Sequence, residues 1–372
     1  RPPRSTLFPY TTLFRSEHRG GYTPFLVELT NVARPGKNHL IVSVDNLWDA
    51  RLAPRAGEHQ FNGGIYRDVQ LILTEFCGID EYGVFVQTTK LERENEDPNG
   101  WNATVKIETQ VFEQRSQIDE PLFLETCILD GETVLAKEIS RINMKTEGEI
   151  DSEKKDRNST SSLNSKTITQ QISLSGIQPW SPNSPKLYTV VSRVSYNGIL
   201  VDCVLTKFGI RTVRFDKDNG FFLNGEHFAI LGANVHQDHA GWADAVTRAG
   251  IQRDIRMIKE CGMNTIRGSH YPHHPYFAQV CDEEGILFWS EMCFWGTGGD
   301  KRDGFWVASA YPPKKEDQKD FEKSCLDQLE EMIRSQRSHP SIICWSMCNE
   351  VFFTDAPVKD KAKELIRKMV ER

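Results

Sequence analysis

A chain of 372 residues is long enough for two or three domains of about 150 residues each. Its 45 Lys and Arg against 52 Asp and Glu leave a net charge of −7 with no basic block, which argues against nucleic acid as a partner, since neutralising phosphates takes clustered cations. No apolar run approaches the ~20 residues that a membrane helix needs, so no membrane partner is expected either.

The first sixteen residues, RPPRSTLFPYTTLFRS, repeat Thr-Leu-Phe and have neither a strand period nor a signal-peptide layout. They are similar to what translated sequencing-adapter DNA gives and are set aside as extraneous to the fold, which leaves the cellular compartment open. Over 17–77 the runs PFLVELT, NHLIVSVDN and GGIYRDVQLIL read as short strands, with Val42 and Val44, then Val69, Leu71 and Leu73, at the period of two. So few strands make no free-standing sandwich, and the segment is expected to be the back half of an all-β domain.

Strand-like runs recur over 78–210: YGVFVQTT, ATVKIETQVF, LFLETCIL, ITQQISL, LYTVVSRVSY and ILVDCVLTKF. This spacing suggests a β-sandwich of immunoglobulin-like size. The charged, Ser-rich stretch KTEGEIDSEKKDRNSTSSLNSK reads as a mobile loop within it. Nine cysteines, odd in number and without a CxxC pair, read as reduced thiols filling core space, and Cys344 and Cys348 are expected on one face of a strand. Asn102-Ala-Thr104 and Asn158-Ser-Thr160 match the glycosylation pattern, which is common by chance.

From about 211 to 372 strands alternate with helices. HFAILGANVH, NTIRGSH, ILFWSEM and SIICWSMCNE read as strands. Between them, RAGIQRDIRMIKECG carries Ile251, Ile255 and Ile258 on one helical face, HPYFAQVCDEEG is a short helix, and Asp317 to Arg337 forms a helix with Phe321, Cys325, Leu329, Met332 and Ile333 as its buried stripe. A fourth helix starts near Pro357. Strict alternation predicts a parallel sheet, open or closed into a barrel.

Polar residues gather at the strand ends: Asn234 and His236 on the first, Arg267 and His270 on the second, Glu291 on the third, Asn349 and Glu350 on the fourth. In parallel α/β architectures these ends open on one face, where active sites sit. One such residue alone reads as a satisfied polar group or a helix cap; four consecutive strands point to a site. Trp242, Trp295 and Trp306 lie in loops where flat rings can stack on a ligand, whereas Trp289 and Trp345 lie inside strands and read as core. No GxGxxG opens a helix after any strand, which leaves a dinucleotide-dependent oxidoreductase without support.

The blocks GGIYRDVQLIL, QPWSPNSPKLYTV, FGIRTVRF, GFFLNGEHFAILGANVHQD, RGSHYPHHPYFAQVCDEEGILFWSE and HPSIICWSMCNE, in this order, resemble the signatures of glycoside hydrolase family 2, which includes β-galactosidases, β-glucuronidases and β-mannosidases. The resemblance runs from about Glu17 to the end. It implies a jelly-roll sugar-binding domain (17–77, partial), an immunoglobulin-like sandwich (78–210) and the N-terminal half of a (β/α)8 catalytic TIM barrel (211–372), a fragment truncated at both ends. It further implies a retaining β-glycosidase, foremost a β-galactosidase with a β-glucuronidase or β-mannosidase as the alternative, with Glu350 as acid/base and Asn349 on the sugar's 2-hydroxyl. His236, His270 and Asn234 would line the sugar pocket, Asp68 would reach it from the jelly roll, and Arg267 would orient a catalytic carboxylate, with Trp295 in support. Asp68 reads equally well as a turn residue or a partner of Arg67. Glu291 corresponds to a magnesium ligand in some relatives, but Cys293 stands where a second ligand would be His; neither metal nor cofactor is expected, and Glu291 reads as a supporting acid. The implied nucleophile, a Glu after a seventh barrel strand, is absent from these residues, so the chain alone is expected to be inactive. An oligosaccharide or β-glycoside substrate is the expected partner, with a homo-oligomer open for the full-length enzyme. A non-catalytic carbohydrate-binding protein on the same scaffold is the competing reading, against which the Asn349-Glu350 pair stands.

Overall fold

The computed structural model describes residues 16–55, 62–94, 100–114, 120–144, 164–295, 309–351, 354 and 356–372. Trp306, Asn158 and most of the Ser-rich stretch lie outside the described residues.

Seven antiparallel strands form the middle of the chain: β1 Cys77–Arg93, β2 Trp101–Glu113, β3 Leu122–Asp130, β4 Thr133–Ile142, β5 Asn164–Ile177, β6 Tyr188–Tyr196 and β7 Ile199–Phe208. They pair as two sheets, β1-β2-β5 and β4-β3-β6-β7. Along β2 the side chains of Ala103, Val105, Ile107, Thr109 and Val111 are buried and those between are not, the alternation a half-covered sheet requires. They meet Leu122, Leu124, Ile128, Val190 and Val194 from the facing sheet in one core. The strand β4 was not among the expected elements. It lies at the edge of its sheet with Val134, Leu135 and Ile139 exposed, and it is held by its ladder to β3 through a turn in which Gly131 adopts φ 58°.

The strands expected over 17–77 are a correction. Residues 16–76, where described, form no strand. Val42, Val44, Val69, Leu71 and Leu73 are all exposed. Alternation makes a strand only where a neighbouring backbone takes up its N–H and C=O groups and an apolar layer covers one face, and the segment meets neither. It is anchored instead by irregular contacts to the α/β part. Thr23 and His18 reach Glu331, Gln328 Nε2 donates to the carbonyl of Ala53 at 3.0 Å, and Arg55 Nη1 donates to that of Ser309 at 2.8 Å.

A small hairpin sheet follows, β8 Val213–Asp216, β9 Gly220–Leu223 and β10 Glu226–His227. Then come β11 Gly232–His236, α1 Arg248–Glu260, β12 Thr265–Ser269, α2 Pro275–Glu284, β13 Leu287–Glu291, α3 Lys315–Gln336, β14 Ile342–Ser346 and α4 Lys359–Glu371. The four strands are parallel in the order β11-β12-β13-β14. Local chemistry marks the helix ends. Thr247 Oγ accepts from Gly250 N at the start of α1, while Pro275 opens α2 and Gly285 closes it at φ 71°. Ile251 and Ile255 of α1 pack with Ile266 and Phe288 on the outer face of the sheet. Phe321, Cys325, Leu329 and Met332 line α3 as its period indicated.

The sandwich docks on the N-terminal end of this sheet. Trp180 is fully buried and donates Nε1 to the Asp282 carbonyl at 2.9 Å. Arg211 donates Nε to Pro340 O at 2.7 Å and Nη2 to Ile342 O at 2.6 Å, at the very start of β14. A Cβ on Gly209 would stand 2.8 Å from both Pro340 and Trp180, so the two bodies meet too closely there for any side chain. The blocks QPWSPNSP and FGIRTV are thus interface, not site.

Candidate active site

The opposite, C-terminal end of the parallel sheet carries the polar residues. Register places Asn234 beside Arg267, Arg267 beside Trp289, Trp289 beside Cys344, and Glu291 beside Ser346. Paired positions of a parallel ladder share a face, and residues two apart on a strand do too. Asn234, His236, Arg267, Trp289, Glu291, Cys344 and Ser346 therefore lie on one side of the sheet, away from the helices that cover Ile266 and Phe288.

Glu291 is the centre of this face. Its side chain has no solvent exposure, and its carboxylate accepts from Arg267 Nε at 3.0 Å, Arg267 Nη2 at 2.8 Å, His270 Nδ1 at 2.6 Å and Ser346 Oγ at 3.0 Å. Because a carboxylate only accepts, the Nδ1 of His270 carries a proton towards it. Arg267 Nη2 lies 3.4 Å from the same Nδ1, a contact between two donors rather than a hydrogen bond. Arg267 also donates to Asn349 Oδ1 at 2.7 Å. The His236 and His270 rings meet edge to face at 4.9 Å.

Asn349 and Glu350 lie beyond the end of β14, not within it. The Asn349 N–H donates to Phe294 O at 3.0 Å, and Asn349 forms an isolated bridge with Trp295 that carries the chain on past the strand. Glu350 then takes φ 48°, a left-handed conformation that costs a side-chain-bearing residue about 1–3 kcal/mol. Its side chain is exposed and has no ion-pair or hydrogen-bond partner among the described residues. Asn234 is exposed on the edge strand β11 and points to the same face.

Two residues sit elsewhere than the sequence suggested. Asp68 pairs with Arg248 Nη2 at 3.0 Å on an exposed surface, while its neighbour Arg67 is the residue turned inward, donating Nη2 to Pro272 O at 2.8 Å. Trp295 is 2% exposed, so its ring is not an open platform; it packs 5.6 Å from His270 as part of the pocket wall. Trp242 is exposed in the loop after β11, and Trp289, read as core, is 38% exposed on the polar face. Ser346 was not singled out from sequence. Its signal was only a Ser in a buried strand, and its partner Glu291 is 55 residues away.

Among the described residues, those around Glu291 do not fit a magnesium site. The oxygens of Glu291 are taken by nitrogen and hydroxyl donors, which a cation would have to displace. Cys293 is buried, its thiol pushed up to about 12 by burial, and it donates to Gln328 Oε1 at 3.3 Å. A neutral thiol turned away from Glu291 is no partner for a hard cation.

Two family models match the chain, Glycosyl hydrolases family 2 over residues 84–211 and Glycosyl hydrolases family 2, TIM barrel domain, over residues 214–371. The chain belongs to glycoside hydrolase family 2. It is 31% identical over 339 residues to a β-glucuronidase of Bacteroides fragilis, the match covering 90% of this chain and 44% of that protein. It is 29% identical to a β-galactosidase of Thermoanaerobacter pseudethanolicus, covering 90% of this chain and 39% of that protein. The crystal structure of a Bacteroides uniformis β-glucuronidase has a TM-score of 0.70 to it at 27% identity, covering 88% of this chain and 36% of that one. The chain thus spans less than half the length of these relatives.

Proposed function

We propose that the protein to which this chain belongs is a retaining β-glycosidase that removes a terminal β-linked sugar, with Glu350 as its acid/base. The observation that carries the reading is the gathering of Glu350, Asn349, His270 and His236 at one mouth of the parallel sheet, with Glu350 exposed and unpartnered among the described residues. In the glycosylation step Glu350 protonates the leaving oxygen while a second carboxylate attacks the anomeric carbon from the opposite face. In deglycosylation Glu350 takes a proton from water, which displaces that carboxylate. Two carboxylates ~5–5.5 Å apart are needed for this. Glu291 is not the second one, because four donors hold both its oxygens, and the nucleophile is assigned to a part of the protein outside these residues.

The sugar is a β-galactoside in the reading from sequence. A β-glucuronide is the second reading, favoured by the 31% identity to a β-glucuronidase. Parallel assays of aryl β-galactoside and aryl β-glucuronide on the full-length protein separate the two.

Glu350→Ala in that protein tests the acid/base role. Loss is expected to reach about 10²–10⁴-fold for glycosides with poor leaving groups, which need protonation. Aryl glycosides with good leaving groups should lose much less in the first step, and azide should restore the second. Equal loss on both substrate types without an azide effect would sink the assignment.

A further inference from the structure

We propose that Glu291 and Ser346 are positioning residues that fix the Asn349 amide through Arg267, and so set how strongly the site reads the sugar's 2-hydroxyl. The inference rests on the glycosidase reading above and deepens it.

The argument begins with saturation. An ionised carboxylate offers about four acceptor sites, and Glu291 uses its two oxygens on Arg267, His270 and Ser346. With both Nε and Nη2 of Arg267 on Glu291 Oε2, the planar guanidinium has a single orientation. In that orientation Nη2 also reaches Asn349 Oδ1 at 2.7 Å. A guanidinium can only donate, so the atom of Asn349 that faces it must be the oxygen. The amide NH2 then has to point the other way. Asn349 is thereby fixed as a donor, and a 2-hydroxyl placed against it must accept.

Ser346 completes the hold from the neighbouring strand. Its oxygen lies 3.0 Å from Glu291 Oε2 and 3.3 Å from Cys348 O, and it has one proton to give. The nearer, charged acceptor takes it. Ser346 stands in direct register with Glu291, and Asn349 follows three residues further along the same chain. The strand that delivers Asn349 is thus tied to the acid that orients the arginine. Around this acid the chain sets an arginine, a histidine and a hydroxyl. His270 is drawn into the same hold through Nδ1.

The test compares an aryl β-glycoside with its 2-deoxy counterpart on the full-length protein. Glu291→Gln sets an amide donor against the donors of Arg267 or His270 and releases the guanidinium. It should lower kcat/KM about ten- to a hundredfold on the 2-hydroxy substrate and clearly less on its 2-deoxy counterpart, which loses only the support that Glu291 gives His270. Ser346→Ala, a milder change that spares the buried acid, should move the same ratio in the same direction by a smaller factor. Ser346→Thr, which keeps the hydroxyl, should restore it. A purely structural role would lower both substrates together, and equal losses in Glu291→Gln and Ser346→Ala would overturn the inference while leaving the glycosidase reading intact. Failure of the unsubstituted protein to hydrolyse either substrate would overturn both.

Discussion

The two ends of the parallel sheet are built from the same residue types and do opposite things. At the C-terminal end Arg267, His270 and Ser346 surround the buried acid Glu291. At the N-terminal end the buried acid Asp282 accepts from His339 Nδ1 at 2.5 Å and from the backbone N–H of Ser341 at 3.0 Å, with Arg211 near enough to feel its charge. The difference lies in where the hydrogen bonds finish. Arg211 ends on two backbone carbonyls, and Trp180, Phe221, Leu223, Leu287 and Ile343 close the space beside it. Among the described residues, the bonds of this set all end within the interface. Arg267 ends on a side-chain amide, beside which Glu350 stands exposed and unpaired among the described residues. A buried arginine-acid-histidine set is therefore a lock or a site according to whether its last acceptor is backbone or a side chain that faces solvent. Position on the sheet follows the general division in such folds, stability at one end and chemistry at the other.

The largest expected effect tests the lock. Asp282→Ala removes one member of a buried charged set and should destabilise the protein by about 3–5 kcal/mol in urea unfolding. The folded fraction should keep its kcat/KM, because no residue of the opposite end touches Asp282. A large loss of kcat/KM at unchanged stability would erase the distinction between the ends.

A smaller effect concerns pH at the C-terminal end. His273 lies in the loop after His270, packed 4.9 Å from the Phe277 ring, and burial pushes it from 6.5 down to about 3. It is neutral when folded, whereas the unfolded chain takes up the proton below about pH 6.5. The stability that depends on its neutrality is full above that pH and falls away as pH drops towards 3, at about 1.4 kcal/mol per pH unit. Urea midpoints at pH 7 and pH 5 should show this slope, and His273→Phe, which suits the aromatic surroundings, should remove it. An unchanged slope in the variant would assign the acid sensitivity to other groups.

The smallest effect is an expected absence of change. With Glu291 saturated by donors and Cys293 turned to Gln328, a chelator should alter neither the melting temperature nor the activity of the full-length protein. A reversible loss that magnesium restores would mean that the arginine-histidine-serine hold gives way to a cation in solution.

Much of this architecture is legible in the residue order. The periods of Ile251 and Ile255, and of Phe321, Cys325, Leu329 and Met332, identify α1 and α3 because each helix buries one stripe against the sheet. The alternation in β2 works likewise. Prediction failed where pattern and environment part company. The edge strand β4 exposes the apolar residues that should mark it, and the segment 16–76 has alternation without a neighbouring strand. At the site, the strand ends drew attention to Asn349, Glu350, His270 and Glu291, but not to what each is bonded to.

By itself, then, the sequence determined the order of sandwich and α/β parts, the helix stripes and caps, and the face on which the polar residues collect, since these follow from periodicity and from the common direction of parallel strands. Only the tertiary structure decided that Arg267 serves Glu291 and Asn349, that Ser346 belongs with them, that Asp68 faces Arg248, and that FGIRTV seals an interface. The physical reason is range. A period is written into neighbours a few residues apart, whereas a hydrogen bond joins residues 24, 55, 82 or 129 positions apart, and nothing local in the chain records which donor will meet which acceptor.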